Sequence, residues 1–127
     1  MQRRDINAPD AAAPVGVYTQ AVEVTGATRT LYVSGQVGAD ISGTIPDDIT
    51  AQARLVYANI QAQLRAANMT LDNIVKLTII LTDFGNMAAA RAARSEVMGE
   101  RRPASTLIIA GLANPAFKIE VEAIACA

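Results

Sequence analysis

Two glutamates near the carboxyl terminus are the first residues whose spacing could do chemistry. In "KIEVEAIACA" (Lys118–Ala127), Ile119, Val121, Ala123 and Ala125 share one face of a strand, and Glu120, Glu122 and Ile124 share the other. Two carboxylates on one strand face need solvent or partners, because an unpaired buried charge is costly. The chain holds no histidine and a single cysteine, Cys126. Ser-His-Asp and Cys-His nucleophile systems are therefore excluded, the usual zinc ligand set is missing, and no intramolecular disulfide can form. Chemistry falls to carboxylates, hydroxyls, guanidinium groups and backbone dipoles. A carboxylate acting as base would need a pKa raised by burial. A second stretch, "RRPASTLIIAGL" (Arg101–Leu112), reads as a buried strand entered through a proline, with Ser105 close to its start.

The elements that must position these groups follow from periodicity. Residues 1–14 are polar and proline-punctuated and predict an extended surface arm. "VYTQAVEV" (Val17–Val24) alternates as a strand, "TGAT" supplies a turn, and "RTLYVSGQVG" is a second strand that would pair with it as a hairpin. After the loop "ADISGTIPDD", Asp47 or Asp48 can cap a helix whose buried face is Ile49, Ala53, Val56, Ile60, Leu64 and Ala67. "IVKLTIILTD" is a β-branched, central strand. "FGNMAAARAARSEVMGE" is a second helix, with Asn86 as N-cap and Gly99 as stop. "STLIIAGL" and "KIEVEAIACA" are the last strands. The order is β-β-α-β-α-β-β, a mixed sheet with two helices on one face: an α+β fold in one domain, residues 1–127. No third helix remains for the other sheet face, so self-association is the simplest way to cover it.

Composition narrows the function classes. Hydrophobic residues make up 51% and charged residues 18%, a globular balance in a chain long enough to bury a core without metals or disulfides. Eleven Lys+Arg against 12 Asp+Glu give a formal charge of −1, which is no electrostatic footprint for nucleic acid. Aromatic residues are 4%, with no tryptophan, too few for base-stacking platforms. The longest apolar runs are far too short to cross a bilayer. "MQRRDINAPD" has no apolar segment behind its basic residues, so a secretory signal is not expected and a cytoplasmic location is.

Several phrases carry a resemblance: "APVGVYTQAV" (Ala13–Val22), "YVSGQVG" (Tyr32–Gly38), "AQARLVYANIQAQLRAANMTLDNIVKLTIILTDF" (Ala51–Phe84), "RPAST" (Arg102–Thr106) and "KIEVEAIA" (Lys118–Ala125). In order and spacing they resemble the RidA/YjgF family, the reactive-intermediate deaminases once labelled L-PSP endoribonucleases. The resemblance implies a chorismate-mutase-like fold, a homotrimer with pockets between subunits, and hydrolytic deamination of a small enamine or imine acid with no cofactor or metal. Position by position, Tyr18 matches the pocket tyrosine, with Val17 in place of the usual proline. Ser34 and Gly35 match the "SGQ" turn, which contributes a hydroxyl and backbone donors. Glu120 matches the water-positioning glutamate, and Leu107 stands where a backbone carbonyl is needed. Deaminating members have arginine in "PARS/T", gripping the substrate carboxylate; here the place is held by Ser105. One neutral hydroxyl cannot replace two charge-assisted bonds. Arg91, where deaminating members carry a pocket asparagine, is expected to supply a relocated positive charge; the plainer reading makes Arg91 and Arg94 solvated helix-surface charges. Glu120 has a rival role too, in an ion pair or hydrogen bond across a trimer interface.

Three functions are then in competition. The first is an enamine/imine deaminase with a non-standard substrate. The second is a non-catalytic trimer that binds a small carboxylic metabolite or a protein partner. The third and weakest is an endoribonuclease, since the charge is near neutral and histidine is absent.

Overall fold

The computed structural model describes residues 1–127. Eight named elements follow one another: β1 (Gln2–Ile6), β2 (Ala21–Thr25), β3 (Thr30–Val37), α1 (Ile49–Ala66), β4 (Ile74–Leu81), α2 (Met87–Met98), β5 (Ala104–Ile109) and β6 (Ile119–Cys126). Short 3-10 turns at Leu71–Asn73 and Phe84–Asn86 lead into β4's start and α2. The main sheet has the order β3-β6-β4-β5. β4 and β5 run parallel, joined by the crossover α2, and the other pairs are antiparallel. The expected mixed sheet with two helices is present, and β4 is interior as its apolar sequence requires.

Each helix is set by local chemistry. Asp48 caps α1: its side chain accepts from the Ala51 N–H at 2.9 Å, satisfying one of the free donors of the first turn. Ala53, Val56, Tyr57, Ile60 and Leu64 form the buried face. The helix ends through Asn68, which takes a left-handed φ of 54°, while the Met69 N–H reaches back to the Leu64 carbonyl at 2.8 Å. α2 buries Ala90, Ala93 and Met98 and turns off at Gly99, where φ is 57°. Asn86, the expected N-cap, makes no side-chain cap bond; Asp83 instead accepts from the Gly85 N–H at 2.8 Å and shapes the turn before α2. In β6 the expected alternation holds, with Ile119, Val121, Ala123 and Ala125 buried against the helices.

The amino-terminal third departs from the pattern read above. The arm holds a strand, β1, and β2 pairs with β1 rather than with β3. Across the ribbon Arg4 stands opposite Glu23 and bonds it at 2.7 Å, an exposed pair that adds only modestly to the pairing. The Arg3 guanidinium donates to the Ile74 and Arg102 carbonyls, both at 3.2 Å, and so anchors the ribbon where β4 begins and just ahead of β5. Residues 17–20 are not strand. Thr19 is buried and bridges Ala104 in parallel fashion, its N–H on the Pro103 carbonyl at 3.4 Å. This lays the Gly16–Tyr18 turn along the outer edge of β5.

One buried polar side chain holds β6 in place. Gln52 is fully buried; its Nε2 donates to the Pro46 and Ala116 carbonyls at 2.8 and 2.9 Å, and its Oε1 accepts from the Lys118 N–H at 2.9 Å. Gly38 packs directly on it, since an added Cβ would lie 2.6–2.8 Å from the Gln52 Cα, Cβ and Cγ. Gln52→Leu leaves three backbone groups without partners, and the loss of stability is expected to be about 3 kcal/mol. A urea midpoint that stays within error of the parent would refute this.

Candidate active site

A cavity of about 400 Å3 opens beside β5, between α2, the buried Tyr57 of α1 and the Val15–Tyr18 turn. Register decides which side chains reach it. Ser105 and Leu107 pair with Leu77 and Ile79 of β4 and so face the helices. Leu107, Ile79 and Met98 form apolar wall; Tyr18, half-buried, closes the side next to β5, and its hydroxyl accepts from the Val15 N–H at 3.4 Å.

The charged groups of the cavity are all cationic: Arg91, Arg94 and Arg101. Ser105 Oγ donates to the Pro103 carbonyl at 3.2 Å and accepts from Arg94 Nη2 at 3.0 Å. A hydroxyl anchored on its own backbone thus holds the guanidinium of the neighbouring helix. Arg94 is half-buried, and desolvation pulls its pKa below the usual arginine range; Tyr57 opposes that shift and Arg91 adds to it. Arg91 lines the same cavity from an exposed position one turn earlier on α2. No carboxylate lines the cavity. The third arginine there, Arg101, is already held, its Nε 2.6 Å from Asp72 Oδ1 and its Nη1 3.3 Å from the Met98 carbonyl. An apolar cleft with unpaired guanidinium groups is built to take an anion.

Tyr57 is 1% exposed, and burial pushes its hydroxyl pKa up to about 12 from 10.0, against the pull of Arg94. The folded pKa lies above the unfolded one, so its contribution is complete below pH 10 and is lost as pH rises toward 12. The loss across that window is about 3 kcal/mol. Tyr57→Phe is expected to lose less stability over the same alkaline range; parallel urea melts of both proteins that decline equally would count against it.

The remaining residues matched to the site lie on the opposite sheet face. Glu120 stands opposite Val37 of β3 and Ile80 of β4. Its carboxylate lies over Gly35: a Cβ added there would come within 2.6 Å of Glu120 Cδ and 2.8 Å of Cγ, and closer still to Oε1. Ser34, exposed, sits in the β-bulge where the β3–β6 register shifts between Val33 and Gln36, and its carbonyl accepts from Gln36 Nε2 at 2.9 Å. Tyr18, Arg91, Ser105 and Leu107 are therefore brought together, and Ser34, Gly35 and Glu120 form a second group that this chain does not bring to the first. The helices leave this second face open, with Tyr32 75% and Ile108 43% exposed on it.

Two polar residues of the cavity escape the sequence reading: Tyr57 is not singled out by it, and Arg94, which it treats only as a solvated surface charge, is half-buried and bonded to Ser105. Tyr57 lies four residues after Ala53 and three before Ile60, on the buried face of α1, and its position alone marks it as inward. Arg94 follows the buried Ala90 by four and Ala93 by one. An arginine bordering an alanine stripe was the available signal. The structure has no cluster of three or more His, Cys, Asp or Glu side chains that could hold a metal ion, and no helix long and apolar enough to cross a membrane.

Comparison with known proteins agrees with this architecture. A protein from Capra hircus named 2-iminobutanoate/2-iminopropanoate deaminase is 34% identical over 125 residues, covering 97% of this chain and 89% of its own. The crystal structure of YyfB from Yersinia pestis, described as a protein of unknown function of the conserved Rid family, superposes with a TM-score of 0.85 at 32% identity over the whole of both chains. E. coli TdcF, solved with bound serine, superposes with a TM-score of 0.74 at 28% identity over 98% of each chain. Residues 6–127 match the sequence family described as Endoribonuclease L-PSP. With a sheet, helices and cavity of this form, the chain belongs to that family, the RidA/YjgF proteins.

Proposed function

We propose that the protein is a hydrolytic deaminase of a reactive imine or enamine carboxylic acid, with its site completed between copies of the chain in a homotrimer. The observation that carries this is the guanidinium of Arg94 seated on Ser105. The place that lacks its own arginine is refilled from α2, three residues beyond Arg91. In the reaction, water adds across the C=N bond, the tetrahedral carbinolamine releases ammonia, and a 2-oxo acid remains. Arg94 and Arg91 hold the carboxylate, and Tyr18, Tyr57 and Leu107 shape the cleft around the carbon skeleton. Glu120 of a neighbouring copy orients the water beside the Gly35 backbone. Two features support assembly: Glu120 and the cavity lie on opposite sheet faces of one chain, and the open face exposes Tyr32 and Ile108.

The deciding experiment generates imines in situ from a panel of amino acids with an amino-acid oxidase and follows ammonia release. Acceleration by the protein at stoichiometric or lower amounts, lost in Glu120→Gln, is the expected result. Absence of acceleration for every amino acid would end the deaminase reading.

A second reading is a non-catalytic trimer that binds a small carboxylic metabolite. The cavity's own lining favours it, because it holds unpaired guanidinium groups and no carboxylate, and an anion cleft needs no base to bind. It predicts thermal stabilisation by 2-oxo acids with no acceleration of ammonia release. Ribonuclease activity has the least support: the chain has a charge of −1 and no histidine, and its cleft is walled mainly by apolar side chains.

A further inference from the structure

We propose that the β5 cavity selects a dicarboxylic acid, a 2-imino or 2-oxo diacid, over the small monocarboxylic acids. This rests on reading the cavity as the acid-binding half of the site. Arg91 and Arg94 are three residues apart on α2, which places their Cβ atoms about 5–6 Å from each other on one helix face. Both line the cavity and neither belongs to an ion pair. The chain does pair its other nearby cations. Arg101 holds Asp72, and Glu96, on α2 itself, goes to Arg54 at 3.0 Å. An acidic residue two positions from Arg94 is thus spent elsewhere, while two like charges face a common space.

One monoanion satisfies one of these guanidinium groups and leaves the other uncompensated. The inner group, Arg94, is oriented by Ser105 beneath it. The outer group, Arg91, is exposed at the cavity mouth. A diacid of four or five carbons places one carboxylate at each, with its methylene carbons against Leu107 and Met98. The cavity, at about 400 Å3, also has room beyond a three- or four-carbon monoacid. Desolvation is the main cause of the lowered Arg94 pKa and repulsion from Arg91 a smaller one; that repulsion is relieved most by a ligand that brings two negative charges.

The test is calorimetric titration of the full chain with 2-oxoglutarate, 2-oxobutanoate and inorganic phosphate at one fixed ionic strength. 2-Oxoglutarate is expected to bind about 10- to 100-fold more tightly than 2-oxobutanoate, the worth of one added bond between charged groups. Arg91→Gln should collapse that ratio toward one, and Arg91→Lys should keep part of it. Position 91 is exposed, so both variants are expected to fold, which their melting curves check. Equal affinity for the two oxo acids, a ratio that survives Arg91→Gln, or phosphate binding as tight as 2-oxoglutarate would each overturn the proposal. Ammonia release from the imines of glutamate and 2-aminobutanoate separates it from the function above. A binding preference with neither hydrolysis accelerated leaves the diacid site standing and counts against the deaminase; acceleration of both imines without a preference does the reverse.

Discussion

Arg94→Ala is expected to lower kcat/KM for ammonia release by about 100- to 1000-fold, the worth of two charge-assisted bonds to one carboxylate. The loss should fall on function and not on stability. Arg94 is half-buried with no acidic partner, so removing it also removes a desolvated charge, and the melting temperature should hold or rise. Arg94→Lys keeps the charge without the planar fork and should recover only part of the rate. The sharpest form of the experiment moves the anchor back to β5. Ser105→Arg alone crowds a second guanidinium against Arg94 and should gain nothing. Ser105→Arg combined with Arg94→Ala should regain activity over Arg94→Ala. If that double variant is as poor as Arg94→Ala, the seat at Ser105 is not where the substrate carboxylate sits.

Gly35→Ala is expected to cost about 100-fold or more in kcat with little change in KM, because the added methyl displaces the Glu120 carboxylate and not the acid-binding cleft. The atoms it would strike are the far end of a flexible side chain, so Glu120 can swing away, and folding stability should fall by less than about 1 kcal/mol. Gly35 has no left-handed backbone angle that would strain an alanine. A double-mutant cycle gives the decisive reading: in a Glu120→Ala background, Gly35→Ala should have almost no further effect on turnover. Additive losses would show that Gly35 acts independently of Glu120, through its backbone or the β3 bulge.

The legible parts of the fold are those written in local pattern. Alternation in residues 119–125 marks the buried face of β6, and the acidic pair Asp47-Asp48 ahead of an amphipathic run marks a cap, which the structure assigns to Asp48. The alternation of "VYTQAVEV" misled for a physical reason. Period-two hydrophobicity reports that a segment has two unlike sides, but not which strand it will pair with. β2 pairs with β1, Arg4 standing opposite Glu23 across the ribbon, and the preceding residues turn aside to β5, carrying Tyr18 with them.

The sequence by itself determined which groups are available for chemistry. Zero histidines, one cysteine and a serine in the arginine's place are matters of composition and order, which no folding alters. It also determined the family resemblance, the capped first helix and the inward face of the last strand, because these depend on neighbours within a few residues. Only the tertiary structure decided how those groups meet. Successive helix residues point about 100° apart, so whether Arg91 or Arg94 reaches Ser105 depends on how α2 is rotated against β5, and packing of Ala90, Ala93 and Met98 sets that rotation. The side of the sheet on which Glu120 falls depends in the same way on strand register: pairing it with Ile80, and Leu107 with Ile79, sends the carboxylate and the cavity to opposite faces. A shift of one residue in either pairing would have put them together.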